Sequence, residues 1–265
     1  MKKLFLILLL LTITLNSFSQ TKFKPNKILA FRPKKILVVP FFPYMYLVDD
    51  EFRFAKANNK THKQILNYFR QSLDNEVIKI LGDSINCISL LNNTTQDNQD
   101  YLTALYQFAR YDYVSPMQMK FPKNKTKFYI KPKDIEKYEK HTSRKAIKDG
   151  QIESKVVDRN TQLFNISFAN KKILQKTAQH FGNDYFLFIN QFEIRSDYSN
   201  PYSSGNGTYP RIIKIHYSIY DYKGNFVFGS FSQTKLPPTE NYLKNISEKY
   251  FPVVIKKMYQ NSPFK

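Results

Sequence analysis

Three acids in a row, Asp49, Asp50 and Glu51, close the stretch KILVVPFFPYMYLVDDE that begins at Lys35. The apolar run before them reads as a buried strand, and open α/β sheets place their ligands just beyond the carboxyl ends of such strands. Three carboxylates there can hold a hard cation, or act as acid and base in a hydrolase of envelope polymers. Consecutive acids also point in different directions. Asp50 equally fits the N-cap of a short helix, EFRFAKANN, whose first turn welcomes negative charge.

The remaining chemistry-bearing residues form no set. His62, His141, His180 and His216 are scattered, with no His-Glu-x-x-His pair and no cysteine partner that would complete a zinc site. His216 falls on the wet side of a strand and His180 near a helix end, positions that favour structural roles. No Gly-x-Ser-x-Gly elbow occurs, and the seven glycines build no phosphate-cradling loop. No catalytic, cofactor or metal set is therefore predicted. What remains is a binding candidate, SDYSNPYSSGNGTYP, in which Tyr198, Tyr202 and Tyr209 stand among Ser, Asn and Gly. Amphipathic rings on an adaptable backbone are a common construction for contact loops.

Charge points the same way. The chain carries 41 Lys and Arg against 21 Asp and Glu, a formal +20, and such a field attracts polyanions. Only eight of the basic residues are Arg. Specific phosphate recognition favours the rigid guanidinium fork, so an envelope protein or an anionic surface fits better than a specific nucleic acid.

The first residues, MKKLFLILLLLTITLNSFSQ, have the charged, apolar and small-residue order of a secretory signal peptide. The segment 1–19 is expected to be cleaved, leaving a periplasmic or secreted protein with no transmembrane span. Cys87 is the single cysteine, so no internal disulfide is expected. Its apolar neighbours place it as a small buried hydrophobe.

Periodicity predicts the elements that position these groups. Residues 20–33 read as a flexible basic leader and 34–262 as an α/β domain. A strand over Lys35–Phe41 is followed by a helix capped by Thr61, with Leu66, Phe69, Leu73, Val77 and Ile80 on one stripe and Gly82 at its end. SINCISLL is a second strand and DYLTALYQFARYD a second helix. The pattern dissolves over about 117–160, a basic surface insertion with one weak helical candidate around Asp134–Lys148. It returns at NKKILQKTAQHFG, with Asn170 as cap and Gly182 as left-handed stop. DYFLFINQFEI is a central strand. Next comes an alternating strand with Lys214, His216, Ser218 and Tyr220 on its wet side, then a hairpin turn at Lys223-Gly224-Asn225 and a terminal helix kinked or restarted at Pro252.

The fold class predicted is α/β: a single mixed parallel and antiparallel sheet with flanking helices. The element order, with KILVVPF opening the sheet and YDYKGNFVFG as a late hairpin, resembles small α/β domains of bacterial envelope proteins such as the TolB amino-terminal domain and the CsgG-like proteins. The SFSQ ending of the leader and the Lys- and Asn-rich composition resemble secreted proteins of Bacteroidetes. These resemblances imply envelope binding or assembly without catalysis. The hydrolase at Asp49 and Asp50 is the alternative.

Overall fold

The computed structural model describes residues 35–92, 95–114, 162–198 and 209–265, with the backbone of two short strands at 146–148 and 151–153. The expected signal segment, the leader, Tyr202, His141 and most of the expected insertion lie outside the described residues.

β1 (Lys35–Val39) and β2 (Tyr46–Val48) are two pieces of one interrupted strand, separated by a 3-10 turn at Pro43–Met45. Pro40 and Pro43 cannot donate to a ladder, which breaks the strand there. α1 (Glu51–Asn58) follows, then α2 (His62–Gly82). Thr61 starts α2 with a complete capping box: its Oγ1 accepts from Gln64 N–H, and Gln64 Oε1 accepts from Thr61 N–H at 2.9 Å. β3 (Asn86–Ser89) and α3 (Gln96–Phe108) come next.

The helix predicted through Asp112 stops earlier. Ala109–Val114 is a strand, β4, because ARYDYV, with its two tyrosines and terminal valine, pairs antiparallel along LFNISF of β7 (Leu163–Phe168). Between them lies a small hairpin of β5 (Ala146–Lys148) and β6 (Gln151–Glu153). The last three residues of the helix predicted around Asp134–Lys148 are thus extended.

α4 (Lys172–Phe181) ends at Gly182 in the left-handed conformation, φ 62°. Asn170 contributes to its start by accepting from Lys172 N–H at 3.0 Å, although Lys171 holds the cap position. β8 (Tyr185–Ser196), β9 (Arg211–Asp221) and β10 (Phe226–Leu236) form a meander with Gly224 at φ 78° in its second turn. The chain finishes in α5 (Phe251–Asn261), entered through a π-helical turn at Ile246–Tyr250. That wider turn adjoins Pro252, which has no N–H to give to an ordinary helical bond.

The main sheet is six-stranded and mixed, in the order β10-β9-β8-β1-β3, with β2 also on β8. Pairings among β1, β2, β3 and β8 are parallel, and those along the meander antiparallel. β8 is buried continuously from Phe186 to Ile194, as a strand covered on both faces requires. On one face, Leu187, Phe192, Ile215 and Tyr217 meet Phe69 and Leu73 of α2 and Phe251 and Val254 of α5. On the other, Leu37, Phe186 and Phe188 meet Leu102 of α3, Leu174 of α4 and Ile166 of β7. Each fully buried large apolar side chain contributes about 1.5–3 kcal/mol over its exposed form, and β8 supplies such side chains to the clusters on both faces. Cys87 is half-buried, and burial pushes its thiol up to about 12.

Candidate functional site

β1 runs beside the first half of β8, and β2 beside the second, from Tyr46↔Phe192 to Val48↔Ile194. The backbone switches partner register at Asn190, where β8 carries a bulge against β9. This geometry delivers the three acids to the carboxyl end of the sheet and then separates them. Asp49 donates its N–H to Ile194 O at 2.8 Å and accepts Ser196 N–H on Oδ2 at 3.0 Å. Its side chain therefore extends the β2–β8 ladder by one rung.

Asp50 is the residue before α1, but it does not cap the helix with its side chain. Its backbone is left-handed, φ 55°, and its carboxylate lies 3.7 Å from Arg53 Nε. Left-handed geometry aims the side chain away from the first-turn N–H groups that an extended cap residue would reach. Glu51 turns the opposite way. It accepts from the Tyr46 hydroxyl at 3.2 Å and meets His62 Nδ1 at 2.7 Å, joining β2, α1 and α2. Burial, reinforced by Glu51, raises the Tyr46 phenol far above its ordinary range. The acids thus have three different sets of partners. Among the described residues no group of three or more His, Cys, Asp or Glu side chains could hold a metal ion.

The tyrosine loop begins one rung further on. Asp197 N–H donates to Pro210 O at 2.7 Å, closing its base. Above that closure the Tyr198 and Tyr209 rings meet edge to face with centroids 4.7 Å apart. Tyr198 is 64% exposed, and Phe52 of α1, three residues from Asp49, is 65% exposed. The acidic junction and the tyrosine loop are therefore neighbours, linked through Asp49 and Ser196.

A polar layer that the sequence reading missed lies beneath β7. His216, predicted to face water, is fully buried because β7 covers that side of β9. Phe164 N–H donates to His216 Nδ1 at 2.9 Å, which assigns the ring proton to Nε2, 3.3 Å from Glu193 Oε1. Arg195 Nε lies 2.9 Å from Glu193 Oε2. Burial pushes the Glu193 carboxyl up, but His216, Arg195 and Lys214 outweigh it and hold it below the usual range. Burial lowers His216, with Lys214 and Arg195 adding to the effect and Glu193 opposing it. The available signal was the polar series Asn190, Gln191, Glu193 and Arg195 in an otherwise apolar strand. The bulge at Asn190 brings Glu193 and Arg195 to the same side as His216.

A second buried carboxylate, Asp74 of α2, accepts the Ser89 hydroxyl at the end of β3. Burial pushes Asp74 up to about 6 against the opposing effects of Ser89 and Arg70. Arg70 itself donates to Phe41 O at 3.0 Å and to the Tyr106 hydroxyl at 2.7 Å. These groups tie α2 and α3 to the end of β1. At the opposite end of the sheet, Gln175, Gly182, Asp184, Tyr222 and Lys223 line a shallow open depression of about 450 Å³, remote from the acidic junction.

No family model matches the chain, and no curated protein matches it. Among solved structures it is similar to a lipoprotein, GNA1162 from Neisseria meningitidis, at 10% identity over 86% of this chain and all of that one. The TM-score of that similarity is 0.33. No helix among the described residues is long and apolar enough to cross a membrane.

Proposed function

We propose that the protein is an extracytoplasmic component of the cell envelope that works by binding, and that its contact surface is the rim formed by the β2–α1 junction and the tyrosine loop. The observation that carries this reading is the exposed Tyr198 ring, packed edge-on against Tyr209 above a backbone fastened at Asp49–Ser196 and Asp197–Pro210. An aromatic anchor held in place before contact loses little entropy on binding. Phe52 and Arg53 extend the same rim, and the formal +20 charge favours a partner with an acidic surface. Tyr202 belongs to the same loop by sequence, and the basic insertion at about 117–160 is a second candidate for contact with an anionic surface.

The divergence of Asp49, Asp50 and Glu51 supports binding over the hydrolytic alternative, which needs two carboxylates converging on one bond. The experiment compares wild type with the Tyr198→Ala/Tyr209→Ala double variant in capture from envelope extract at low and high salt. A partner that survives high salt on wild type and is lost from the variant is expected. Identical capture by both proteins, or turnover of an envelope polymer by the purified chain, overturns the reading.

A further inference from the structure

A second surface, independent of the tyrosine rim, lies at the edge of the main sheet. β10 spans Phe226–Leu236 and, among the described residues, pairs only with β9. The orientation of its rungs follows from two contacts. Lys257 Nζ donates to Gln233 O at 3.1 Å, and Ser230 Oγ approaches Phe231 O at 3.5 Å. Those carbonyls therefore point away from β9. In an antiparallel ladder the N–H and C=O of one residue share a side, so Gly229, Phe231, Gln233 and Lys235 all direct their backbone groups outward. Among the described residues no other hydrogen bond reaches these outward groups.

Proteins usually blunt such an edge with proline, repeated charges, short length or a covering element. β10 has no proline, one lysine and a long run of Phe, Val, Ser and Thr. Its backbone is also held in place. Phe231 lies under Lys214 Nζ, 4.1 Å from the ring centroid, and its ring is 5.7 Å from that of His216. Ser232 donates to Val254 O of α5 at 2.8 Å. An edge fixed in extended form is a template for strand addition.

Charge selects the occupant. Neither β10 nor α5 contains an acid, while Lys235, Lys256 and Lys257 are exposed along them. Pairing β10 with a second copy would bring two strongly cationic chains together, which electrostatics opposes. We infer that the outer edge of β10 receives an extended, acidic segment of another protein as an added strand, with backbone bonds along Gly229–Lys235, a carboxylate facing Lys235, and Lys257 moving from Gln233 O to a second carboxylate.

The probe is a short synthetic peptide alternating Glu and Val, compared by calorimetry with its Lys–Val counterpart and with a Glu–Val peptide N-methylated at alternate residues. The wild-type protein is expected to bind the first, with the other two at least about tenfold weaker. Gln233→Pro removes one outward N–H at a position where an edge strand accepts proline, and is expected to weaken binding of the Glu–Val peptide by a similar factor. Equal binding of the N-methylated peptide, or of the Lys–Val peptide, overturns the inference without requiring any variant to fold. Sedimentation showing a dimer that Gln233→Pro dissociates also overturns it, because the occupant is then a second copy. Gln233 pairs with Lys214, three rungs from the Arg211–Ser196 rung at the base of the tyrosine loop, and contacts neither Tyr198 nor Tyr209 among the described residues, so loss of this edge leaves the rim reading untouched.

Discussion

Ser196 donates its backbone N–H to Asp49 Oδ2 at 3.0 Å. One carboxylate thereby joins the end of β2 to the end of β8 and fixes the strand from which the tyrosine loop departs. Asp49→Ala is expected to cost about 1 kcal/mol, the usual net value of one hydrogen bond, and to speed amide exchange at Ser196. Denaturant titration and hydrogen exchange measure the two effects. An unchanged exchange rate would mean that the rung has no part in holding the loop base.

Asp50 responds to substitution through its backbone. Its left-handed φ of 55° suits Asn or Gly and penalises a branched side chain. Asp50→Asn and Asp50→Gly should stay within about 0.5 kcal/mol of wild type, while Asp50→Val loses about 1–2 kcal/mol. Urea unfolding of the three variants checks this order, and equal losses in all three contradict it.

Arg211 anchors the β10–α5 connection. Its Nη2 donates to Pro237 O at 3.1 Å, Glu240 O at 2.6 Å and Asn241 Oδ1 at 3.1 Å, and its guanidinium lies 4.8 Å from the centre of the Phe54 ring. Lysine has the charge without the planar fork. Arg211→Lys is therefore expected to lose about 2–3 kcal/mol in urea unfolding, and a loss near zero would contradict the anchoring role.

Acid stability separates three buried groups, two acting in one direction and one in the other. His216 is held below its ordinary value of 6.5, so below that pH the unfolded chain binds the proton more readily. Its contribution is present above pH 6.5 and is lost as pH falls through the folded value. Glu193, held below 4.5, acts in the same direction at lower pH. Asp74 is raised from 3.8 to about 6, so the folded state takes its proton first and acidification through that window stabilises. On acidification below pH 6.5 the melting temperature of Asp74→Asn should therefore fall relative to wild type, and that of His216→Gln should rise relative to it. Parallel profiles for all three proteins would refute these assignments.

The parts of the fold legible in the sequence are those where one residue type decides locally. Thr61 and Gln64 cap α2, Gly182 and Gly224 supply left-handed turns, and the apolar run of β8 marks a strand covered twice. What escaped depends on distant partners. ARYDYV continues a helical pattern without a break, and only the facing LFNISF makes it a strand. The same β7 turns the alternation Lys214, His216, Ser218 from a wet face into a buried polar layer. Tyr198 and Asp49 were both legible as residue types, but their adjacency required the parallel β2–β8 register. The three acids were legible as a cluster and separate only because Ser196, Arg53 and His62 draw them apart.

The most direct test of the rim replaces Tyr198, and in a separate protein Tyr222, with a photo-crosslinking phenylalanine analogue. Both side chains are exposed, and they lie at opposite ends of the meander. After irradiation of intact cells, a discrete adduct of defined mass should form from position 198 and be absent from position 222. No adduct at 198, or the same adduct from both positions, would contradict a binding surface centred on Tyr198 and Tyr209.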